Sequence, residues 1–451
     1  MFDKILIANR GEIACRIIRT CKEMGIRTAA VYSEADRGAR HVELADEAWE
    51  IGPAPVGKSY LNADAIFEAV RLSNAQAIHP GYGFFSENAD FADRCTRENV
   101  VFIGPSAEKI RLMGEKIAAK KVMKEAGVPV LPGSLHPLQD ESEAIHFAEA
   151  IGYPVMLKAS KGGGGIGMQM ARNQVELRKA WASTGTLAQR FFGSGELLIE
   201  KYVEKPRHVE VQVLADRYGH VQTLFERDCS IQRRNQKIIE EAPAHGLTDT
   251  QRERLYQAAL DGVRAIGYEN AGTMEFIMDA AGEFYFLEMN TRIQVEHPVT
   301  ECVTGLDLIG QQIRIAAGMK LTELPAPPKQ PDGVAIECRI CAEDPDSFMP
   351  SPGKINGLSW PQGEGIRIDT GVVEGQTVSP FYDSMIAKVI AHGKQREQAI
   401  HRMLEALAQI RIEGIKTNIP LLIRILNTES FQEGKVHTGF LSENLIIHSV
   451  E

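Results

Sequence analysis

The sequence predicts a mixed α/β and α+β protein, with a parallel sheet near the N-terminus and a mainly antiparallel sheet in the second half. Over the first hundred residues, short apolar strands alternate with amphipathic helices, a pattern typical of a parallel sheet with helical crossovers. Near residue 160, a glycine-rich loop lies between two strand-like segments. From Val203 onward, strands with alternating side chains follow one another and favour antiparallel pairing.

The N-terminal part begins with the strand KILIA and a helix from about Glu12 that ends at Gly25. The strands TAAVY, AIH and VVFIG follow this helix. A long helical stretch from about Ser106 to Ala126 then leads to GVPVLPG, a Pro/Gly segment that indicates a boundary. These elements predict a first α/β domain over residues 1–115.

The remaining chain divides at a second break. Residues from about Val130 to Tyr202 form a compact unit around the glycine loop, small enough to move as a lid. The strands HVEVQVLA, VQTLFE, AGTMEFIM and EFYFLEMN come next, and the proline-rich LPAPPKQPDG at 324–333 precedes a last segment that ends in a helix. We therefore predict a second domain over 116–317, with a lid over 130–202, and a third domain over 331–445.

The composition is that of an ordinary soluble enzyme, with 44% hydrophobic and 24% charged residues in a chain of 451. The net charge of −10 argues against nucleic acid or an anionic membrane as the main partner. The seven cysteines are scattered without a CxxC pair, so the sequence indicates neither a disulfide framework nor a zinc site. Because the chain also shows no apolar run of signal-peptide or membrane-span type, we expect a cytoplasmic protein.

Two glycine motifs match the patterns of other enzyme classes. The segment Gly52 to Ser59 satisfies the P-loop pattern, but Pro53 and Pro55 remove two of the backbone N–H groups with which such a loop binds phosphate. The segment KGGGGIG at 161–167 contains the dinucleotide pattern GxGxxG, but MQMARN continues as a strand where a helix would have to start. We therefore expect neither a P-loop nor a dehydrogenase.

The loop KGGGGIG fits better at the tip of a hairpin that runs from YPVMLKAS to MQMA. Without Cβ atoms, its backbone can lie against a triphosphate and donate N–H groups to it, whereas a flexible linker is the alternative. Lys158 on the entering strand and Lys116 farther upstream are candidates to reach phosphate oxygens. Downstream, the sequence predicts a strand with Glu200, Lys201 and Val203, whose edge can hydrogen-bond adenine. His208 is a candidate contact to the ribose or a phosphate.

The segment from Glu288 to Thr300, EMNTRIQVEHPVT, has the density of polar groups expected of an active site. Arg292 and Gln294 offer donors for a small planar anion, and Glu296 is a base beside that anion. The apolar neighbours of these residues are strand-like, which places the charged groups in a cleft rather than on a solvated loop.

Three oxygen-bearing side chains predict a divalent metal site. Glu288 and Asn290 are ligands of the kind that Mg²⁺ or Mn²⁺ accepts. Glu275 lies on the preceding strand, joined by the turn DAAGE, so it can face Glu288 across a hairpin. Two unpaired carboxylates would repel each other, and a bridging divalent ion would remove that repulsion and neutralise charge during phosphoryl transfer.

These motifs together resemble the biotin carboxylases of the ATP-grasp superfamily, over nearly the whole chain. The resemblance rests on HPGYGFFSEN, KASKGGGGIGM, EKYVEKPRHVEVQ, ERDCSIQRRNQK, GTMEF, EMNTRIQVEHPVTE and ECRICAEDP. It implies an ATP-grasp fold with an N-terminal α/β domain, a mobile lid and a C-terminal domain, and ATP bound between the lid and the C-terminal domain. It also implies one activity, the carboxylation of biotin with ATP and bicarbonate.

The resemblance implies a role for each residue that matches a family motif. The ATP contacts would be Lys116, Lys158, Gly164, Gly165, Glu200, Lys201, Val203, His208, Gln232, Asn235, Glu275 and Glu288. The metal ligands, for two Mg²⁺ or Mn²⁺ ions, would be Glu275, Glu288 and Asn290. Bicarbonate would bind Lys237, Arg292, Gln294 and Val295, with Glu296 as the base, and biotin would contact Tyr82 and Arg339.

Two positions depart from the commonest family pattern. Ile166 follows the glycines where a basic residue is usual, and Asn235 stands where histidine is usual. Both lie among the residues that match nucleotide contacts, so they bear on ATP affinity or lid behaviour. A regulatory homologue that had lost activity would instead be expected to lack Glu296 or the metal pair.

The sequence also predicts that biotin arrives on another protein. The attachment motif, a lysine within AMKM on a hairpin, is absent from the sequence. The family resemblance therefore implies a biotin carboxyl carrier protein and carboxyltransferase subunits as partners, and a homodimer, with no nucleic-acid or membrane partner. Two other hypotheses stay open, an ATP-grasp ligase that joins an acyl phosphate to an amine and a weakly active ATP-binding scaffold of a carboxylase complex.

Overall fold

The computed structural model describes residues 1–160 and 167–444. The N-terminal part is a parallel sheet of five strands in the order β3-β2-β1-β4-β5, with helices in the connections. Its elements are β1 (Lys4–Ile7), α1 (Gly11–Glu23), β2 (Arg27–Tyr32), α2 (Arg40–Leu44), β3 (Glu47–Glu50), α3 (Ala63–Ser73), β4 (Ala77–His79), α4 (Ala89–Arg97) and β5 (Val101–Phe102). The predicted parallel sheet is confirmed.

The predicted long helix over 106–126 is wrong in one respect, because it is two helices. The first is α5 (Ala107–Gly114) and the second is α6 (Lys116–Glu125). Glu115 between them has an extended backbone, with φ −92° and ψ 102°. Glycine is a poor helix former, and Gly114 allows the chain to leave the first helix at this point. Lys116 therefore starts a new helix.

The predicted lid is a small three-stranded antiparallel sheet, ordered β7-β6-β8, with two helices against it. Its elements are α7 (Glu141–Ile151), β6 (Val155–Ala159), β7 (Met168–Ala171), α8 (Gln174–Phe192) and β8 (Leu197–Lys201). The glycine-loop residues Gly164, Gly165 and Ile166 lie outside the described residues. The strands β6 and β7 that flank them pair antiparallel, which agrees with the predicted hairpin.

Val203 does not lie on a strand as predicted. The strand β8 ends at Lys201, because its partner β6 begins only at Val155. One further hydrogen bond continues the ladder, from Tyr202 N to Pro154 O at 3.0 Å. Beyond that bond, Val203 belongs to the connection that leads into the large sheet.

The second half of the chain builds one antiparallel sheet of eight strands, ordered β13-β12-β9-β10-β11-β14-β19-β17. Its first elements are β9 (Arg207–Ala215), β10 (Val221–Arg233), β11 (Gln236–Ala242), α9 (Asp249–Ala265), β12 (Asn270–Met278), β13 (Phe284–Asn290), α10 (His297–Thr304) and α11 (Leu308–Ala316). The predicted antiparallel sheet is confirmed. The sequence did not predict β11.

The last segment adds three strands to the same sheet and then covers it with helices. Its elements are β14 (Val334–Cys341), β15 (Gly353–Lys354), β16 (Gly357–Ser359), β17 (Ile366–Thr370), β18 (Thr377–Val378), β19 (Met385–Gly393), α12 (Arg396–Gln409), β20 (Arg411–Glu413), α13 (Ile419–Leu426), α14 (Glu429–Gln432) and α15 (Phe440–Asn444). Since β11 pairs with β14, the sheet continues across the proline-rich segment at 324–333.

One buried arginine fixes α10 to the large sheet. Arg227 on β10 is fully buried and donates to Glu210 Oε1 at 2.5 Å and to Gln212 Oε1 at 2.8 Å on β9. It also donates to the hydroxyl of Thr300 on α10 at 2.8 Å and of Thr273 on β12 at 3.1 Å. A single guanidinium thus links three strands and one helix.

We expect Arg227→Met to destabilise the protein by roughly 3–5 kcal/mol, because it leaves the buried Glu210 carboxylate short of a cation. Arg254→Met is the control, since Arg254 lies on the surface of α9 and forms an exposed pair with Glu283. Calorimetric melting at one protein concentration should show a large fall in Tm for the first variant and a small one for the second. Equal falls in the two variants would contradict the anchoring role of Arg227.

Candidate active site

A cavity of about 1510 Å³ lies where the three-stranded sheet β7-β6-β8, the N-terminal part and the large sheet meet. The described site residues predicted from the sequence line this cavity, with Glu296 buried directly behind its wall. The residues in the wall are Tyr82, Lys116, Lys158, Glu200, Lys201, Val203, His208, Gln232, Asn235, Lys237, Glu275, Glu288, Asn290, Arg292, Gln294, Val295 and Arg339. The fold therefore brings residues more than 250 positions apart into one site.

The centre of the site is one ammonium group among three buried carboxylates. Lys237 Nζ on β11 donates to Glu210 at 2.6 Å, to Glu275 at 2.7 Å and to Glu296 at 2.7 Å. Glu210 and Glu275 stand directly opposite each other on β9 and β12, which is why they converge. Burial opposes the charge on Lys237, but these three carboxylates outweigh it and raise the pKa of Lys237 well above its usual value.

Glu296 is placed to act as an ionised base. It is fully buried and precedes the first residue of α10. Its second oxygen accepts a hydrogen bond from Arg339 Nη2 at 3.0 Å. Burial alone would raise the pKa of Glu296, but Lys237, Arg339 and Arg227 outweigh it and hold the pKa well below its usual range. The carboxylate is therefore charged at neutral pH and available to accept a proton.

The predicted anion site is organised around Arg292. Its guanidinium donates to Glu87 Oε2 at 2.8 Å, to Gln294 Oε1 at 2.9 Å and to Asn290 Oδ1 at 2.8 Å. Glu87 comes from the N-terminal part, so this arginine also joins two parts of the fold. The carbonyl of Val295 accepts from Lys388 Nζ at 2.8 Å, and Gln294 Nε2 donates to Glu275 Oε1 at 3.2 Å.

The predicted metal ligands lie close together. The prediction of two unpaired carboxylates is wrong for one of them, because protein side chains already balance the charge of Glu275. Glu275 and Glu288 face each other in register on β12 and β13. Glu275 is not unpaired, because it accepts from Asn290 Nδ2 at 2.8 Å and lies 3.0 Å from His208 Nε2 as well as bonding Lys237. These cations overcome burial and lower the pKa of Glu275.

Glu288, the second predicted carboxylate ligand, differs from Glu275 in its surroundings. Its carboxylate is exposed to the cavity and has no hydrogen-bond partner among the described residues. Burial of the carboxyl group within the cleft, together with the facing Glu275 carboxylate, raises the pKa of Glu288. A divalent ion at Glu288 and Glu275 would relieve this repulsion, with Asn290 as a third oxygen ligand, so the residues present fit Mg²⁺ or Mn²⁺.

The residues predicted to contact the nucleotide form two groups. Glu200 on β8 accepts from Lys158 at 2.5 Å and from Lys120, a buried lysine on α6 that the sequence did not single out. Burial and the neighbouring Lys158 lower the pKa of Lys116 at the start of the same helix. Lys201 donates to the carbonyls of residues 152 and 153, so it holds the lid sheet as well as lining the cavity.

The second group lies on the floor of the cavity. His208 contacts Gln232 Nε2 through Nδ1 at 3.0 Å, and Glu275 through Nε2. Burial disfavours the charged imidazole, but Glu275 outweighs it and raises the pKa of His208. Arg234 and Asn235 form the turn between β10 and β11 with φ values of 50° and 65°. Asparagine is favoured in this left-handed region, which gives Asn235 a backbone reason to be there.

The two residues predicted to contact biotin, Tyr82 and Arg339, line the same cavity. Arg339 on β14 donates from Nε to Glu240 Oε1 at 2.6 Å as well as from Nη2 to Glu296. The hydroxyl of Tyr82 donates to Glu12 at the start of α1. Arg339 therefore joins the predicted biotin contacts to the base by a direct ion pair.

Several charged residues of the site were not predicted from the sequence. They are Glu12, Lys120, Glu210, Arg227, Glu240, Glu337 and Lys388, together with Glu87, which bonds Arg292. The alternation in RHVEVQV was a signal for Glu210, because it places this residue on the same face as His208. The others depend on which strands or helices become neighbours, and the sequence carries no local sign of that.

Three sequence families match consecutive parts of the chain. Residues 1–110 match "Biotin carboxylase, N-terminal domain", residues 115–324 match "Carbamoyl-phosphate synthase L chain, ATP binding domain", and residues 337–443 match "Biotin carboxylase C-terminal domain". Together these matches span most of the chain, and they follow one another without overlap.

Curated relatives and solved structures agree with these matches. Biotin carboxylase 2 of Bacillus subtilis is 56% identical over 99% of this chain and 100% of the relative, and the biotin carboxylase of Haemophilus influenzae is 54% identical over 99% of each. The biotin carboxylase domain dimer of Hydrogenobacter thermophilus 2-oxoglutarate carboxylase, a complex with MgADP, ADP and bicarbonate, has a TM-score of 0.92 at 51% identity, covering 98% of each chain.

A second solved structure, a Campylobacter jejuni biotin carboxylase in complex with β-γ-ATP, has a TM-score of 0.94 at 46% identity, covering 98% of this chain and 99% of that one. Within the described ranges, no helix combines the length and the apolar character that crossing a membrane requires.

Glu288→Gln should weaken Mn²⁺ binding by roughly tenfold or more, because it keeps the side-chain shape but removes one negative charge that faces the ion. Calorimetric titration with Mn²⁺ in the presence of ADP would measure this loss. Glu283→Gln is the control, since Glu283 lies on the same hairpin but forms an exposed pair with Arg254. If Glu288→Gln bound Mn²⁺ as tightly as the control variant, Glu288 would not be a ligand.

Proposed function

Because the chain belongs to the biotin carboxylase family, we propose that its cavity carboxylates biotin on a separate carrier protein, with ATP and bicarbonate as the other substrates. The enzyme is a biotin carboxylase, a ligase with the ATP-grasp fold. The observation that supports the reaction best is the continuous ion-pair chain Lys237–Glu296–Arg339. It joins Lys237 of the proposed bicarbonate site to the proposed base Glu296, and Glu296 to Arg339, a cation suited to a ureido oxygen.

In the first step, Lys237, Arg292 and Gln294 hold bicarbonate beside Glu296. Glu296 removes the bicarbonate proton, and the resulting oxygen attacks the γ-phosphorus of ATP while ADP leaves. The products are carboxyphosphate, ADP and a protonated Glu296. A divalent ion bound at Glu275 and Glu288 would neutralise the negative charge of the phosphates during this transfer.

In the second step, carboxyphosphate breaks down to CO₂ and phosphate. The phosphate takes the proton from the ureido nitrogen of biotin, and the biotin enolate attacks CO₂ to form carboxybiotin. Arg339 stabilises the negative charge on the ureido oxygen during this attack. Tyr82 lies in the wall of the same cavity and would contact the biotin ring.

We assign this chain to the first half-reaction of an acetyl-CoA or acyl-CoA carboxylase. Its support is the match over full length to relatives that are separate biotin carboxylases. Other relatives are named as parts of a pyruvate carboxylase and of a 2-oxoglutarate carboxylase, so the acceptor is set by the carboxyltransferase. On this proposal the chain is a cytoplasmic homodimer, meets a biotin carboxyl carrier protein and carboxyltransferase subunits, and has domains at 1–115, 116–317 and 331–445.

A single assay series tests the function. The purified chain should hydrolyse ATP faster when bicarbonate is added, and should form carboxybiotin when free biotin is added as well. Hydrolysis that ignores bicarbonate would overturn the proposal in favour of a scaffold. ATP consumption driven by an amine but not by biotin would instead identify another ATP-grasp ligase.

Two variants should separate the half-reactions. Glu296→Gln should reduce both bicarbonate-dependent ATP hydrolysis and biotin carboxylation by roughly 10²- to 10⁴-fold, the usual effect of losing a positioned base. Arg339→Ser should reduce carboxybiotin formation while sparing much of the bicarbonate-dependent ATP hydrolysis. Circular dichroism should show both variants folded. A proportional loss of both activities in both variants would contradict this division of roles.

A further inference from the structure

Two buried carboxyl groups lie behind Arg339 in the large sheet. Glu240 on β11 and Glu337 on β14 stand directly opposite each other in the antiparallel register. Both side chains are 0% exposed. Arg339 is two residues beyond Glu337 on the same strand, so its side chain leaves the same face of the sheet.

The two carboxyl groups have different surroundings. Glu240 Oε1 accepts the hydrogen bond from Arg339 Nε at 2.6 Å, whereas its other oxygen has no partner among the described residues. Glu337 has no hydrogen-bond partner on either oxygen within the same part of the chain. Residues opposite each other in an antiparallel pair have Cβ atoms about 4.5–5.5 Å apart. Two ionised carboxylates on such a pair, buried away from water, would repel each other, which favours a proton on one of them.

We propose that Glu240 is a positioning residue for Arg339, and that Glu337 holds the one proton that these two facing carboxyl groups retain. The proposal rests on the proposed function, in which Arg339 acts on biotin. It assigns a role to two residues that touch neither nucleotide nor bicarbonate.

The neighbouring charges decide which of the two groups is protonated. Arg339 bonds Glu240, and the other cations nearby have different partners. Lys388 Nζ contacts the Val295 carbonyl at 2.8 Å and Glu12 at 3.2 Å, and Lys237 bonds the three carboxylates at the centre of the site. Lys388 and Arg339 are the cations that act on Glu337, but neither donates a hydrogen bond to it among the described residues, and the Glu240 and Glu296 carboxylates oppose them.

The pKa shifts agree with this assignment. Burial raises the pKa of Glu337 well above its usual value, against the pull of Lys388, and the facing Glu240 adds to the rise. Burial also raises the pKa of Glu240, to about 7, but Arg339 opposes the rise there. Of the two carboxyl groups, Glu337 therefore has the higher pKa and is the one that retains a proton.

The arrangement leaves one side of the guanidinium available. Nε of Arg339 is bound by Glu240 and Nη2 by Glu296, while Nη1 has no hydrogen-bond partner among the residues that the structure describes. When Glu296 takes the proton of bicarbonate, its bond to Arg339 weakens, and Glu240 then keeps the guanidinium in place. A neutral Glu337 matters as well, because a third carboxylate charge would cancel the positive field that the biotin enolate requires.

The first test replaces Glu240 by methionine, which keeps the volume but removes the acceptor. Glu240→Met should lower kcat/KM for free biotin by about tenfold to a hundredfold, the value of one hydrogen bond to a charged group, and leave bicarbonate-dependent ATP hydrolysis nearly unchanged. If this variant does not fold, Glu240→Gln should show the same split with a smaller loss. Equal losses in the two activities, or no loss in biotin turnover, would overturn the positioning role.

Glu241→Met is the matched control for this test. Glu241 is the next residue on β11, is also buried, and bonds Arg396 at 2.9 Å and 3.0 Å on the opposite face of the sheet. Its replacement removes the same kind of carboxylate from a buried arginine, away from the cavity. It should lower the melting temperature without separating the two activities. If Glu241→Met also lost biotin turnover while keeping bicarbonate-dependent ATP hydrolysis, any damage to β11 would have this result, and the positioning role of Glu240 would be overturned.

The second test locates the proton. In Glu337→Gln, the neutral amide replaces a neutral acid, so the variant should retain most of its biotin carboxylation. Its infrared spectrum at neutral pH should lack one C=O stretching band of a protonated carboxylic acid that the parent protein shows. A spectrum with that band unchanged, or a loss of biotin activity as large as in Glu240→Met, would overturn the assignment of the proton to Glu337.

These experiments also separate the proposal from the proposed function. If the parent protein itself formed no carboxybiotin, the proposed function would fail and the positioning role would fail with it. The infrared comparison would still decide whether Glu337 is protonated. If the parent protein carboxylated biotin and Glu240→Met did so equally well, the function would stand and the positioning role alone would be wrong.

Discussion

The site depends on the ion-pair network around the ammonium group of Lys237. Three carboxylates from two strands and the start of a helix bond this one nitrogen within 2.7 Å. Without it, Glu210, Glu275 and Glu296 would be buried like charges, and at least one would be protonated. The ammonium therefore keeps the proposed base Glu296 ionised, balances the charge of Glu275, and links β11 to side chains on β9 and β12. The ionisation of these carboxylates and their packing in the cavity wall thus both depend on the Lys237 ammonium.

The surrounding charges extend this balance in two directions. Arg227 neutralises Glu210 and ties α10, the helix that begins directly after Glu296, to the sheet. Arg339 neutralises Glu296 through Nη2 and connects it to Glu240 through Nε. In the proposed mechanism, protonation of Glu296 by bicarbonate weakens its ion pair with Arg339, so the first half-reaction would change the electrostatics of the second. The antiparallel sheet makes this possible because charged side chains on neighbouring strands face each other in register.

Much of the site could be predicted from the sequence because its residues cluster in short motifs. Glu288, Asn290, Arg292, Gln294 and Glu296 are close along the chain, and Glu275 is one hairpin away. The partners of Glu240 could not be predicted, because Glu337 is opposite it only through the pairing of β11 with β14. The two wrong secondary-structure predictions each have a local cause. The helix break at Glu115 and the early end of β8 depend on single backbone positions and on where a neighbouring strand begins.

The pH dependence of bicarbonate-dependent ATP hydrolysis tests the role of Lys237 most directly. The proposed base Glu296 must be ionised to accept a proton, so activity should fall at low pH as this carboxylate becomes protonated. Its pKa is held low by Lys237 among other cations, and removing that charge raises the pKa. In Lys237→Gln, the acidic limb of the residual activity should move to higher pH. An acidic limb at the same pH as in the parent protein would contradict the claim that Lys237 keeps the base ionised.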